Sequence, residues 1–385
     1  MLSKVPDGWK EAKLGDCFDI KSSKRVLQKQ WRNEGIPFYR GREITSLAEQ
    51  GYVDNELFIE RELYEEFASK HGVPKCGDIL ITAIGTIGNT FVVRESDRFY
   101  FKDASVLWLM RASDNLSALV NYWFQSELFF NQLDRGNGTT VDSLTINKLK
   151  SLSLALPPIN EQHRIAEILS SVDESIQATQ AVIEQAERVK CGLMEELLTG
   201  GLGSEAIERG EVPEGWVACS LGKIIILEYG KSLPEKRRIK GDYPVYGSAG
   251  IVGTHNDFLI ESQSIVVGRK GTVGAVYKTS QPFFPIDTTY YVVARNEVNW
   301  DWLTALLEFL QLAKLNEATG VPGLNRGNAY KSKVSIPPIN EQNRIAEILS
   351  SVDETIASHK ANIEQQSLVK KGLMDDLLTG KVRTA

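Results

Sequence analysis

Two stretches of this chain are nearly the same. PPINEQHRIAEILSSVDESI, from Pro157 to Ile176, returns as PPINEQNRIAEILSSVDETI from Pro337 to Ile356, at a constant offset of 180 residues; only His163/Asn343 and Ser175/Thr355 differ. A repeat this long is an internal duplication, so the chain has two halves and any fold proposed for one must serve the other.

Each copy reads as the start of a long helix. The two prolines end an extended segment, Asn160 or Asn340 is placed to cap, and Glu161 or Glu341 puts negative charge at the positive end of the helix dipole. Apolar residues follow at spacings of three and four. In the first copy Leu169, Ile176, Ile183, Lys190 and Leu197 take the a positions, with Ile165, Val172, Thr179, Ala186 and Leu193 at d. In the second, a holds Leu349, Ile356, Ile363, Lys370 and Leu377, and d holds Ile345, Val352, His359, Gln366 and Leu373. Four heptads of this kind predict a coiled coil whose seams bury each other, against two separate amphipathic helices as the alternative. Gly192 and Gly372 each cost about 1 kcal/mol inside a helix, so the regular coil is expected to loosen there and leave a short last helix. A seam of about 30 residues then runs roughly 45 Å.

A chain of 385 residues is too long for one core and suits two domains with a helical element. No stretch approaches the length of a membrane span and MLSKVPDGWK lacks a signal-like apolar run, so a cytoplasmic protein is expected. Cys17, Cys76, Cys191 and Cys219 show no paired spacing, and neither a disulfide framework nor a zinc site is indicated. The net charge of −6 is uneven: residues 151–205 carry −6 and residues 206–333 carry +2. A wholly basic nucleic-acid binder is excluded; one with local basic patches is not.

A second repeat opens each half, VPDGWKEAKLGD (Val5 to Asp16) matching VPEGWVACSLGK (Val212 to Lys223) at an offset of 207. Weaker matches follow in order: IPFYRGREI with YPVYGSAGI, GTIG with GTVG, and the glycine-rich RGNGTT with GVPGLNRGN. DILITAIG, FVVRE, SIVVG and YYVVA read as strands; LVNYWFQSELFFNQL and WLTALLEFLQLAKL read as a helix late in each domain. The expected organisation is a first α+β domain over 1–156, a long helix over 157–203, a second α+β domain over 204–336 and a second long helix over 337–385.

The order of a variable α+β domain, LPPxxEQxRIaeiLsxvDexI, a long helix and LLTG, given twice, resembles the specificity subunit of type I restriction-modification systems. The resemblance covers essentially the whole chain. It implies two target recognition domains, each reading one half of a split sequence in double-stranded DNA. It also implies helices that set the spacing and dock two methyltransferase (modification) subunits, with endonuclease-translocase (restriction) subunits joining later. S-adenosylmethionine, Mg²⁺ and ATP are then cofactors of the partners, with none in this chain.

Chain order independently supports an antiparallel coil. From Gly200 to Trp216 there are too few residues to run back along such a helix at about 3.3 Å per extended residue. The second domain must therefore sit at the C-terminal end of the first helix while feeding the N-terminal end of the second. The same logic brings LLTGKVRTA to VPDGW, and the expected fold is two α+β recognition domains related by a pseudo-two-fold axis and joined by two long antiparallel coiled-coil helices. Because the domains differ in sequence, the target should be bipartite and asymmetric.

Arg, Lys and Asn in glycine-rich loops reach phosphates and base edges. Candidates in the first domain are Lys24, Arg25, Arg40, Arg42, Arg135, Asn137, Thr139 and Thr140. In the second they are Lys236, Arg237, Arg238, Lys240, Tyr246, Ser248, Arg269, Lys270, Thr272, Asn325 and Arg326. Each can equally be a solvated surface group, and the GTIG and GTVG glycines read first as tight turns. Catalytic and metal residues are not found. Gly230-Lys231-Ser232 has Ile225 where a phosphate-binding loop needs its first glycine, no Asn/Asp-Pro-Pro-aromatic methyltransferase signature occurs, and His71, His163, His255 and His359 form no ligand or triad spacing. His163 reads as a partner contact and His359 as a seam residue. A coiled-coil scaffold that binds proteins and not DNA is the alternative, and a self-contained methyltransferase or nuclease lacks its motifs.

Overall fold

The computed structural model describes residues 5–111, 116–133, 143–315 and 323–384. By backbone contacts the chain divides into two units, Met1–Ala178 with Ile363–Ala385, and Thr179–Asn362, so the division falls inside both long helices.

In the first unit the apolar run at Ile79–Thr82 forms a strand buried on both faces. It lies in a four-stranded antiparallel sheet ordered Phe18–Lys21, Val106–Arg111, Ile79–Thr82, Thr90–Val92. Side chains alternate across a strand. Ile79 and Ile81 therefore meet Val120, Trp123 and Phe124 of the helix Leu116–Gln125 on one face. Leu80 meets Ile44 and Leu47 of the helix Gly41–Gln50 on the other. A smaller sheet runs Trp31–Arg32, Phe58–Ile59, Ile36–Tyr39, Tyr100–Phe101, and its core closes against Tyr64 and Phe67 of the helix Arg61–His71. Lys10–Lys13 pairs antiparallel with Ser153–Leu156.

The second unit repeats the plan with a sheet ordered Ile225–Tyr229, Thr289–Ala294, Ser264–Gly268, Val276–Thr279. Ile265 and Val267 pack on Trp302, Leu303, Leu306 and Leu307 of the helix Trp300–Phe309. Val266, on the opposite face, packs on Tyr246 and Phe283. Tyr243–Gly247 pairs parallel with Phe284–Pro285, as Ile36–Tyr39 does with Tyr100–Phe101. Where the first domain inserts two helices, the second makes the hairpin Tyr243–Gly247 to Gly250–His255, which accounts for its shorter length. GTIG and GTVG are turns between neighbouring strands, with Gly85, Gly88, Gly271 and Gly274 all at positive φ. The late helix expected over 119–133 is broken at Ser126 into Leu116–Gln125 and Glu127–Phe130.

Both long helices are continuous, Ile159–Thr199 and Ile339–Leu378, which corrects the expected loosening at Gly192 and Gly372. Both glycines keep helical hydrogen bonding on exposed positions, and the cost of about 1 kcal/mol is small beside the burial of Leu198 or Leu377 and Leu378 a turn or two later. The helix starts also differ from expectation. Asn160 and Asn340 lie inside the helices; the Pro158 and Pro338 carbonyls accept the first amides, Glu161 and Gln162 or Glu341 and Gln342, at 2.9 and 3.0 Å. The Gln162 and Gln342 side chains then donate back to the Pro157 and Pro337 carbonyls at 2.8 and 3.0 Å.

Within each unit the helix segments run antiparallel. In the first, Asp173 meets Lys370 at 2.7 Å while Ser175 meets Gln366 at 2.9 Å. In the second, Glu187 meets Lys360 at 2.8 Å while Lys190 meets Asp353 at 2.7 Å. As the number rises on one helix it falls on the other. The seam residues Ile165, Leu169, Thr179, Ile183, Ile345, Leu349 and Ile356 are buried. Val172, Ile176, Ala186, Val352, His359, Ile363 and Gln366 are half-buried.

Candidate nucleic-acid interface

In the first domain most of the cations singled out from sequence are already paired. Arg25 bonds Asp103 at 2.8 Å. Arg40 donates to Glu43 from Nε, Nη2 and its own backbone amide, at 3.1, 2.6 and 2.8 Å. Arg42 reaches Glu43 and Glu56 at 3.1 and 2.6 Å. Glu43 is buried; burial raises its carboxyl, but the hydrogen bonds from Arg40 outweigh that and bring it down to about 2. Arg40 is thus a half-buried partner of a core carboxylate, while Lys24 is exposed with its amide on the Tyr100 hydroxyl. Arg135, Asn137, Thr139 and Thr140 lie outside the described residues.

The second domain brings four of its candidates together. Arg269 and Lys270 lead into the GTVG turn, and Leu324 donates its amide to the Arg269 carbonyl at 2.8 Å. Asn325 caps the short helix Arg326–Lys331 by accepting from the Gly327 amide at 2.8 Å. The result is an open cleft of about 650 Å³ lined by Arg269, Lys270, Asn325 and Arg326 with Tyr229 and Tyr290. The Arg269 and Arg326 guanidinium carbons lie 5.1 and 4.9 Å from the Tyr229 ring centre, and cation–π attraction holds both against one ring. Among the described residues no carboxylate pairs with either guanidinium, and the buried Arg269 Nε has no hydrogen-bond partner.

Tyr229 and Tyr290 were not singled out from sequence. They lie far apart in the chain, and only the pairing of Ile225–Tyr229 with Thr289–Ala294 sets them side by side, with ring centres 5.0 Å apart. The Tyr290 hydroxyl donates to the Leu324 carbonyl at 3.0 Å. Burial, and hydrogen bonding with Tyr229 after it, push its phenol up to about 12.

The remaining candidates are dispersed. Lys236, Arg237 and Lys240 are exposed on and just beyond the turn Glu235–Arg237. Arg238 is tied to the Val252 and Leu233 carbonyls at 2.7 and 3.3 Å. Ser248 packs against Gly271 of the GTVG turn, and Thr272 is exposed in that turn. Tyr246 is a correction: its ring is buried against Phe283 and Tyr277, because the strand that carries it, Tyr243–Gly247, is covered on both faces.

The two repeats meet in the same way in each unit. The Trp9 indole donates to Glu161 at 3.0 Å, and Trp216 donates to Glu341 at 2.9 Å. Gly380 and Gly200, both at positive φ, lie so close to Pro6 and Pro213 that a Cβ would come within 2.6 and 2.2 Å of the proline ring. Arg383 adds a bidentate bond to Glu161 and donates to the Asp7 carbonyl, all at 2.8 Å, so LLTGKVRTA does return to VPDGW. Each a-position lysine crosses to the aspartate of the VDE sequence on the other helix and touches the late helix of its domain, Lys370 at Gln125 and Lys190 at Glu308. Among the described residues no helix is long and apolar enough to cross a membrane, and no three His, Cys, Asp or Glu side chains group as a metal site.

A family model described as the type I restriction modification DNA specificity domain matches residues 6–188 and 213–366. A putative type I restriction enzyme specificity subunit of Haemophilus influenzae is 34% identical over 174 residues, which covers 45% of this chain and 42% of that one. The putative MjaX specificity subunit of Methanocaldococcus jannaschii is 24% identical over 99% of this chain and 95% of its own length. Among solved structures, the type I restriction-modification S subunit of M. genitalium superposes with a TM-score of 0.60 at 19% identity, covering 97% of both chains. A chain from a structural study of complex assembly and conformational transition of the type I system superposes with a TM-score of 0.62 at 16% identity, covering 98% of this chain and 100% of that one.

Proposed function

This chain belongs to the specificity subunits of type I restriction-modification systems, and on that premise we propose that it is the non-catalytic DNA-reading part of an adenine-methylating and restricting complex. Each α+β domain reads one half of a bipartite, asymmetric target in double-stranded DNA. The two long helices set the spacer and dock two methyltransferase subunits, which endonuclease-translocase subunits join. S-adenosylmethionine, Mg²⁺ and ATP act on those partners, in keeping with the missing cofactor motifs of this sequence, and the complex works in the cytoplasm.

The observation that carries the reading is the cleft of the second domain, where Arg269, Lys270 and Arg326 stand without carboxylate partners among the described residues. Cations without carboxylate partners beside the exposed Tyr229 ring suit a polyanion with flat bases. A scaffold that bound only proteins would have no use for such a cluster.

The test is an exchange of residues 206–333 for the second domain of another family member. After coexpression with the methyltransferase partner, the methylated consensus should change in one half-site and keep the other. A change in both half-sites, or in neither, overturns the division of labour.

A further inference from the structure

The two domains share one frame, which allows the cleft to be compared position by position. Leu144 donates its amide to the Ala83 carbonyl as Leu324 does to that of Arg269, both at 2.8 Å. Ile84 bridges Ser143 as Lys270 bridges Gly323. Thr145 caps the helix Ile146–Ser151 as Asn325 caps Arg326–Lys331. The central sheets align through their registers, which set Leu107 where Tyr290 stands and Ser22 where Tyr229 stands. Arg269, Lys270, Arg326, Tyr229 and Tyr290 thus correspond to Ala83, Ile84, Ile146, Ser22 and Leu107. None of these five charged or aromatic groups is kept in its counterpart, though the backbone that would present it is; Lys150 stands where Tyr330 closes the cleft.

We propose that the Arg269–Arg326 cleft is a clamp for a single DNA backbone phosphate, built from groups that the described residues of the first domain do not repeat at the corresponding positions, so that the two half-sites are held with unequal electrostatic strength. The proposal rests on the DNA-reading function given above and adds which domain anchors and through which groups. Tyr229 holds both guanidiniums near one point, where an anion relieves their mutual repulsion. Two guanidinium forks held against one ring match the oxygens of a phosphodiester. A phosphate contact positions the duplex and carries no base information.

The experiment uses the assembled complex with its methyltransferase partner and a duplex containing its methylated consensus. Binding is measured by fluorescence anisotropy across a salt series for wild type, Arg269→Gln with Arg326→Gln, Arg269→Lys with Arg326→Lys, and Ile84→Gln. Releasing one phosphate contact flattens the plot of log K against log salt by about 0.9. The glutamine pair should show that loss with an unchanged methylated consensus, the lysine pair should keep most of the slope, and Ile84→Gln should match wild type. Circular dichroism melts of the variants separate loss of the clamp from loss of fold, and the lysine pair keeps the question open to a result if the glutamine pair unfolds. A wild-type slope in the glutamine pair, an equal loss in the lysine pair, or a consensus altered in either half-site overturns the clamp while leaving DNA reading in place. Absence of sequence-dependent binding by the wild-type complex overturns both.

Discussion

Glu43 is 1% exposed and would be costly to bury as a charge on its own. Arg40 and Arg42 make that burial tolerable: Arg40 is held half-buried against the carboxylate, and Arg42, though exposed, has its guanidinium engaged by Glu43 and Glu56. The carboxyl titrates near 2 in the folded protein and near about 4.3 unfolded. A lowered folded value means that the stabilisation is complete above the unfolded value and is lost as pH falls from about 5 towards about 2. Glu43→Gln should therefore lower stability at pH 7 by about 3 kcal/mol, since it takes from Arg40 the buried carboxylate it is hydrogen-bonded to. The difference in Tm from wild type should shrink as the melts are repeated at lower pH; a difference that stays constant from pH 7 to pH 3 would show that the charge is not what matters. The contrast with Arg269 and Arg326 is instructive at this scale. All of these arginines stand in a glycine-rich context; what separates Arg40 and Arg42 from Arg269 and Arg326 is the buried carboxylate of Glu43, a near neighbour on the same helix turn, with Glu56 brought to Arg42 by the fold.

The long helices show how little local propensity decides once a seam is buried. Gly192 and Gly372 sit at exposed positions where an added Cβ would meet nothing within 4 Å. Gly192→Ala and Gly372→Ala should each stabilise the isolated chain by about 1 kcal/mol, read as a raised Tm or urea midpoint. A destabilising effect would mean that the glycines are needed for conformation after all. The lysines beside them are the polar members of an otherwise apolar a row. Lys190–Asp353 and Lys370–Asp173 link the helices within their units by the same contact. A polar pair inside a seam favours one register and orientation over the alternatives. Trp9–Glu161 and Trp216–Glu341 then fasten each domain's first segment to a helix start.

At the scale of the whole molecule, the proposed function makes the helices a ruler. One heptad inserted after Thr179 and another after His359 keeps a and d in phase and lengthens each helix by about 10.5 Å. At 3.4 Å per base pair, the methylated consensus should keep both half-sites while its spacer grows by roughly three base pairs. Activity should fall too, because that step rotates one half-site by about a quarter to a third of a turn at 10 to 10.5 base pairs per turn. A folded insertion variant that still methylates the original spacer would refute the ruler. The duplication, the α+β class, the antiparallel helix segments and the return of LLTG to VP[DE]GW were all legible in the sequence, because a long repeat and a heptad pattern are periodic and a short connection limits how far the chain can travel. Two helix details were not: the cap passed from asparagine to the Pro158 and Pro338 carbonyls, and the glycines did not interrupt, since both depend on what packs nearby. The cleft was half legible, in Arg269, Lys270, Asn325 and Arg326. What tertiary structure alone decided was that Arg25 meets Asp103 and Arg42 meets Glu56, that Tyr246 is core, and that Tyr229 and Tyr290 stand together: these are distances between separate segments, set by sheet pairing and burial, which no local pattern encodes.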